Sequence, residues 1–254
     1  VKEIYGRKKK KRRRFSGIVK AIGGGKKDRQ SDLINRLKPT DDVLEGGIVY
    51  PDDVDVCDLL GELRVRYYEA IADASDEEEW WRFLTLYNLV LSSLKLPPPN
   101  SPSLKPFLIE LYNLSIKVSF VVNGVPMSTV DRLGYFDACR VGVGTEEGWR
   151  EISFNGIENG LLRGNRIPPY HLSPSLPPSS PFLPYILPLD YRIHSALNCG
   201  AYSCPPVSQY TTEGVEEELE EAWRSWVRSD GGCRVGEGKG GRKVELSMIM
   251  KWYG

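Results

Sequence analysis

Apolar residues recur at helical spacing in three long stretches of the chain. Val56, Leu59, Leu60, Leu63 and Tyr67 fall at steps of three and four. The spacing returns at Trp80, Leu84, Tyr87, Leu91 and Leu94, after the acidic start Asp76-Glu77-Glu78-Glu79. Carboxylates in a first turn oppose the positive end of the helix dipole. Two amphipathic helices are expected here, with their Tyr and Trp stripes in the core, and Pro97-Pro98-Pro99 breaks the chain behind them. Residues 104–122 form the most apolar long segment. Phe107, Leu111, Leu114, Val118 and Val121 lie on one face, with Leu108 and Val122 beside them. It reads as the central buried helix. Asn113 sits inside this run, and a buried amide must find partners. Pinning a neighbouring loop comes ahead of catalysis as its role.

Polar punctuation divides the rest. Asn123-Gly124 is a turn, and Ser128 with Asp131 three residues on opens a short helix to Phe136. Residues 141–144 and 149–154 have strand character and suggest a hairpin. Asn155 then caps a helix holding Ile157, Leu161 and Leu162, with Glu158 and Arg163 towards opposite ends. Residues 167–188 hold eight prolines among 22 positions, which excludes helix and central strand. This is an extended loop: a lid, a polyproline ligand or a plain surface insertion, carrying an exposed His171. Thr211 or Thr212 caps a strong helix with the stripe Val215, Leu219, Ala222, Trp223 and Trp226. Acidic residues load its early turns and Arg224 and Arg228 its late ones. A second hairpin (233–236 with 243–246) and a last turn from Ser247 to Tyr253 close the chain. The fold class expected is α+β: a mainly helical single domain over 41–254, with a few short strands or hairpins, behind a tail at 1–40.

At 254 residues and 41% hydrophobic content a sizeable core can form. Net charge is zero, but the zero conceals a division. Residues 1–30 carry 13 Lys or Arg against Glu3 and Asp28, a net of +11, and the remaining 21 basic and 32 acidic residues give −11. A basic, solvated tail on an acidic body suits a polyanionic partner such as a membrane surface, nucleic acid or an import receptor, or docking on the body itself. Phe15, Ile18, Val19 and Ile22 add a short apolar stripe, stopped by Gly23-Gly24-Gly25. No apolar run approaches the roughly 20 residues of a membrane helix, and no signal peptide is visible. The five cysteines show no secreted framework, so reduced thiols and an intracellular location, cytoplasmic or nuclear, are expected. The chain starts at Val1 and not Met, which leaves room for a segment upstream.

The densest chemistry lies in residues 190–206, Asp-Tyr-Arg-Ile-His-Ser-Ala-Leu-Asn-Cys-Gly-Ala-Tyr-Ser-Cys-Pro-Pro. It holds Arg192, His194, Asn198, Cys199 and Cys204. A thiol hydrolase needs a cysteine of lowered pKa, a base within reach and oxyanion donors. Cys199 or Cys204 with His194 offers the first two, with Asn198, Asn113 or Glu158 as orienting groups and Arg163 and Arg192 as further candidates. Five residues separate His194 from Cys199, and on an α-helix such positions diverge by about 140°. A turn at Asn198 is therefore required. The second chemistry is zinc on His194, Cys199 and Cys204, without the paired Cys-x2-Cys spacing of structural sites. No other cofactor is indicated. A Cys199–Cys204 disulfide is disfavoured by the inferred compartment. The plain alternative makes both cysteines small buried hydrophobes and His194 an interior histidine with its hydrogen bonds met.

Arg192-Ile193-His194, then Ala196-Leu197-Asn198-Cys199-Gly200-Ala201 and Ser203-Cys204-Pro205, resembles the hallmark segment of the domain of unknown function 547 family. Phe107-Leu108-Ile109 with Leu111-Tyr112-Asn113, Ile157-Glu158 with Leu162-Arg163, and the closing Trp252-Tyr253 are similar to three further runs of that family, in the same order. The resemblance runs through about the last two thirds of the chain. Two departures stand out: Glu110 where relatives carry Asn, and Asn159 where they carry His. The resemblance implies an uncharacterised module that in plant and animal relatives is often joined to interaction segments. Two functions follow as expectations. One is an intracellular domain with a cysteine and histidine pocket acting as a thiol-dependent hydrolase. The other is a non-catalytic adaptor addressed by its tail to nucleus or anionic membrane.

Overall fold

The structure is a computed structural model that describes residues 55–72, 77–169, 171–201, 204–238 and 241–253, with one strand pair upstream. That pair is β1 (Lys38–Pro39), antiparallel to β2 (Ile48–Val49). The expectations for the basic segment 1–30 and its apolar stripe lie outside the described residues.

Helices α1 (Val56–Ala72), α2 (Glu77–Ser93) and α3 (Leu104–Asn123) follow the predicted periodicity. α3 is the centre of the molecule. Phe107, Leu108, Leu111 and Leu114 are fully buried in it, each worth about 1.5–3 kcal/mol on transfer from water. The aromatic stripes of α1 and α2 meet in one stack, Tyr67 edge-on to Trp80 and Phe83 with Phe83 against Tyr87. They are core, as their spacing implied. Polar ties fix both helices to α3: Arg64 pairs with Glu110 at 3.1 Å, and the Tyr87 hydroxyl donates to Ser115 Oγ.

α4 (Thr129–Ala138) begins at Ser128, whose side chain accepts from Asp131 N at 3.1 Å, as the capping pattern predicts. β3 (Arg140–Thr145) and β4 (Gly148–Ser153) form an antiparallel hairpin, in register from Arg140 opposite Ser153 to Thr145 opposite Gly148. The hairpin is stitched to the end of α2 through Gly144, whose N–H donates to Leu94 O and whose carbonyl accepts from Leu96 N. A Cβ at Gly144 would lie 2.9 Å from Lys95 Cγ, so glycine permits this approach.

The helix expected after Asn155 is instead a π-helical turn, Gly156–Leu161, with Leu162 N donating five residues back to Ile157 O at 2.9 Å. Among its described residues the proline segment lacks helix and strand apart from a 3₁₀ turn, Leu183–Tyr185. It is not a free-standing lid: Leu176, Phe182 and Tyr185 are buried, Asn165 clasps the Leu176 backbone from both sides, and Leu187 N donates to Leu161 O. His171 is half-buried there rather than exposed. A second 3₁₀ turn, Tyr191–Ser195, leads into the cysteine segment. α5 (Val215–Arg228) starts at Gly214, whose N–H is accepted by Thr211 Oγ1. The hairpin β5 (Cys233–Gly238) with β6 (Gly241–Leu246) and the short α6 (Met248–Tyr253) follow. The architecture is the mainly helical α+β arrangement expected. Among the described residues no helix is long and apolar enough to cross a membrane.

Candidate functional site

One face of α3 carries Asn113, Lys117 and Phe120, spaced i, i+4, i+7 and therefore in line along the helix. Each grips the same loop. Asn113 donates from Nδ2 to Ala196 O at 2.8 Å and accepts from Asn198 N at 2.9 Å. Lys117 Nζ donates to Asn198 Oδ1 at 3.1 Å. The Phe120 ring lies against Gly200, where a Cβ would come within 2.5 Å of Cε2 and where φ is +79°, so only glycine suits both the space and the backbone. Asn198 fastens the base of the loop by donating from Nδ2 to Pro205 O at 2.6 Å, and Cys204 N donates to Ala201 O inside it.

The outcome of this folding is contact between two thiols. Cys199 Sγ and Cys204 Sγ are 3.2 Å apart, and both residues are half-buried. From α4, Arg132 donates to Cys199 O at 2.9 Å and approaches Cys199 Sγ at 3.5 Å. A hydrogen bond from Cys199 lowers the Cys204 thiol to about 6 against the opposing effect of burial. The same bond, with burial, pushes the Cys199 thiol up. The one hydrogen bond the two sulfurs share thus displaces their titrations in opposite directions. Burial lowers the Lys117 ammonium, while negative charge at the two sulfurs favours keeping it protonated.

A polar chain forms the adjoining wall. Tyr112, fully buried on α3, donates through its hydroxyl to Glu158 Oε2 in a short hydrogen bond. Burial, followed by the charges of Glu158 and Cys199, pushes that hydroxyl well above its ordinary range. Arg163 Nη1 meets Glu158 Oε1 at 2.5 Å and Asn159 Oδ1 at 3.2 Å. Asn159 donates to Asn155 Oδ1 at 2.6 Å, and Asn155 donates to Asp137 Oδ1 at 2.7 Å. Glu158 and Arg163 meet because the π turn carries five residues where an α turn would carry four.

The loop and its wall are built from the stretch that a known family covers: residues 100–227 match the family described as "Protein of unknown function, DUF547". The chain belongs to the DUF547 family. No curated protein and no solved structure shows a significant match to it. The DUF547 region contains α3, α4, the first hairpin, the π turn, the thiol loop and nearly all of α5. α1, α2 and the second hairpin lie outside it.

Within this DUF547 region the structure sorts the residues singled out from sequence. Cys199, Cys204, Asn198 and Asn113 converge on one loop, and Glu158 and Arg163 pair beside it. His194 is 3% exposed, and its electrostatic partners are Arg163 and Asp190. Burial, then the Arg163 charge, hold its imidazole down to about 2, so it is neutral and poorly suited to accept a proton. Arg192 points outward to Asp190 and Glu216, which also bind Lys105. Asn159 belongs to the wall rather than to the sulfurs. Among the described residues no group of three or more His, Cys, Asp or Glu side chains is arranged to hold a metal ion. Lys117, Arg132 and Tyr112 were missed from sequence, though a lysine one turn beyond Asn113, in the most apolar long segment, was a readable signal for the first.

Proposed function

We propose that this DUF547 protein is a thiol-dependent enzyme in which Cys204 is the nucleophile, and that its reaction is hydrolysis of an acyl group through a thioester intermediate. The observation that carries this reading is the 3.2 Å contact between the sulfurs of two half-buried cysteines that interact with the Lys117 charge, on a loop clamped at its base. A thiolate is the reactive form of cysteine, and it needs a proton held elsewhere and a cation nearby. Cys199 holds the proton, and Lys117 supplies the cation that an imidazolium supplies in a cysteine–histidine pair. The depressed Cys204 thiol agrees with these roles.

Iodoacetamide labelling followed per cysteine by mass spectrometry tests the nucleophile. Cys204 is expected to react at least about tenfold faster at pH 7 than Cys57 or Cys139, at a rate that rises through pH about 6. With p-nitrophenyl acetate, a burst of acyl-enzyme that Cys204→Ser abolishes is expected. Equal, slow labelling of all five cysteines would overturn the reading and favour the non-catalytic adaptor.

A further inference from the structure

We infer that Cys199 and Cys204 form a working dithiol–disulfide couple, which exchanges with small disulfides of the glutathione class and closes to an intramolecular disulfide. The inference rests on the thiolate reading of Cys204 and adds a second substrate class to the same loop.

The geometry carries it. A disulfide bond is about 2.05 Å long, so sulfurs at 3.2 Å need to close by only about an ångström. Gly200 after Cys199 occupies a backbone region that other residues enter only with strain, and Cys204 N donates to Ala201 O at 3.0 Å. The base of the loop stays fastened by Asn198 to Pro205, so closure is local and leaves α3 in place. Cys57, Cys139 and Cys233 show no comparable sulfur contact among the described residues.

The exchange balances in two displacements. The Cys204 thiolate attacks one sulfur of the small disulfide, forming a mixed disulfide and expelling one thiolate. Cys199 then gives up its proton and attacks the Cys204 sulfur, breaking the mixed disulfide and expelling the second. The protein loses two electrons and one net proton from the thiol–thiolate pair. The small disulfide gains those electrons, and the two thiolates released take protons from Cys199 and from solvent. Arg132, beside Cys199 Sγ, stabilises the attacking thiolate in the second step. Closing the disulfide consumes the Cys204 thiolate, so oxidised protein loses the acyl chemistry proposed above.

The test is to incubate the reduced full chain with oxidised glutathione, count free thiols after denaturation and map the cross-linked peptides. The expected result is loss of two thiols with a Cys199–Cys204 cross-link. Cys199→Ser should accumulate a stable glutathione adduct on Cys204, and Cys204→Ser should react at least about tenfold more slowly. Peptide mapping of the unsubstituted protein decides the question even if either variant folds poorly. Rapid iodoacetamide labelling of Cys204 without any Cys199–Cys204 cross-link would overturn the couple and leave the nucleophile. Adducts spread over Cys139 and Cys233, with slow labelling of Cys204, would overturn both.

Discussion

Two of the polar places along helix α3 are built to opposite ends. Near its middle Glu110 is sealed: it is 0% exposed, it accepts from Arg64 Nε at 3.1 Å and from Tyr210 N at 2.9 Å, and these partners saturate it. Burial raises its carboxyl, with the Arg64 charge working against that rise. A turn further on, Asn113 and Lys117 hold a loop whose two cysteines are half-buried. Both places hold ionisable groups with displaced titrations, yet only at the second are the residues that carry them partly exposed. A displaced pKa in a core therefore says little about chemistry until exposure and satisfied valence are counted.

The largest effect should come from breaking the sealed place. Glu110→Ala leaves the Arg64 guanidinium buried without its carboxylate, which should cost about 3–5 kcal/mol in urea denaturation. Cys204 in the folded fraction should keep its labelling rate. A loss below about 1 kcal/mol would mean that Glu110 is not the structural partner its burial indicates.

His194 tests where the sealed region ends. Its imidazole stays neutral when folded, down to about 2, but titrates near 6.5 when unfolded. Below 6.5 only the unfolded chain takes up the proton, so the stability contributed is fully present above that pH and declines towards acid. Between pH 7.5 and 5.0 the decline should be about 2 kcal/mol, and His194→Gln should flatten that part of the profile. An imidazole found by NMR to titrate near 6.5 would move His194 into the open region instead.

The smallest effect sharpens the open region. Lys117→Met removes the ammonium whose charge interacts with both sulfurs, and the midpoint of the Cys204 labelling profile should rise by about one pH unit, worth about 1.4 kcal/mol. An unchanged midpoint would assign the lowered thiol to Cys199 alone.

Much of the scaffold was legible because it follows local rules. The apolar run 104–122 matches Leu104–Asn123, Ser128 caps as its spacing predicts, and both hairpins follow strand-forming residues around turns. Asn113 was legible as a loop pin because an amide inside an apolar run has few other fates. The site was legible in segment but not in partnership. Sequence proximity placed His194 with the cysteines, whereas the 3₁₀ turn Tyr191–Ser195 carries its side chain into the core beside Arg163. Lys117 and Arg132 reach the loop from 81 and 67 residues away, separations that no spacing along the chain displays. The meeting of Glu158 with Arg163 depends on a π turn, for which residue periodicity gives no sign.

That wide turn makes the wall beside the sulfurs sensitive to chain length more than to composition. Excising a residue between Glu158 and Arg163 would bring them to i, i+4, the spacing at which side chains of an ordinary α-helix already meet, whereas inserting one there would part the guanidinium of Arg163 from Glu158 with every side chain still present. Swapping neighbours of similar size would leave the pair together, so natural variation at this corner should be read in insertions before it is read in substitutions.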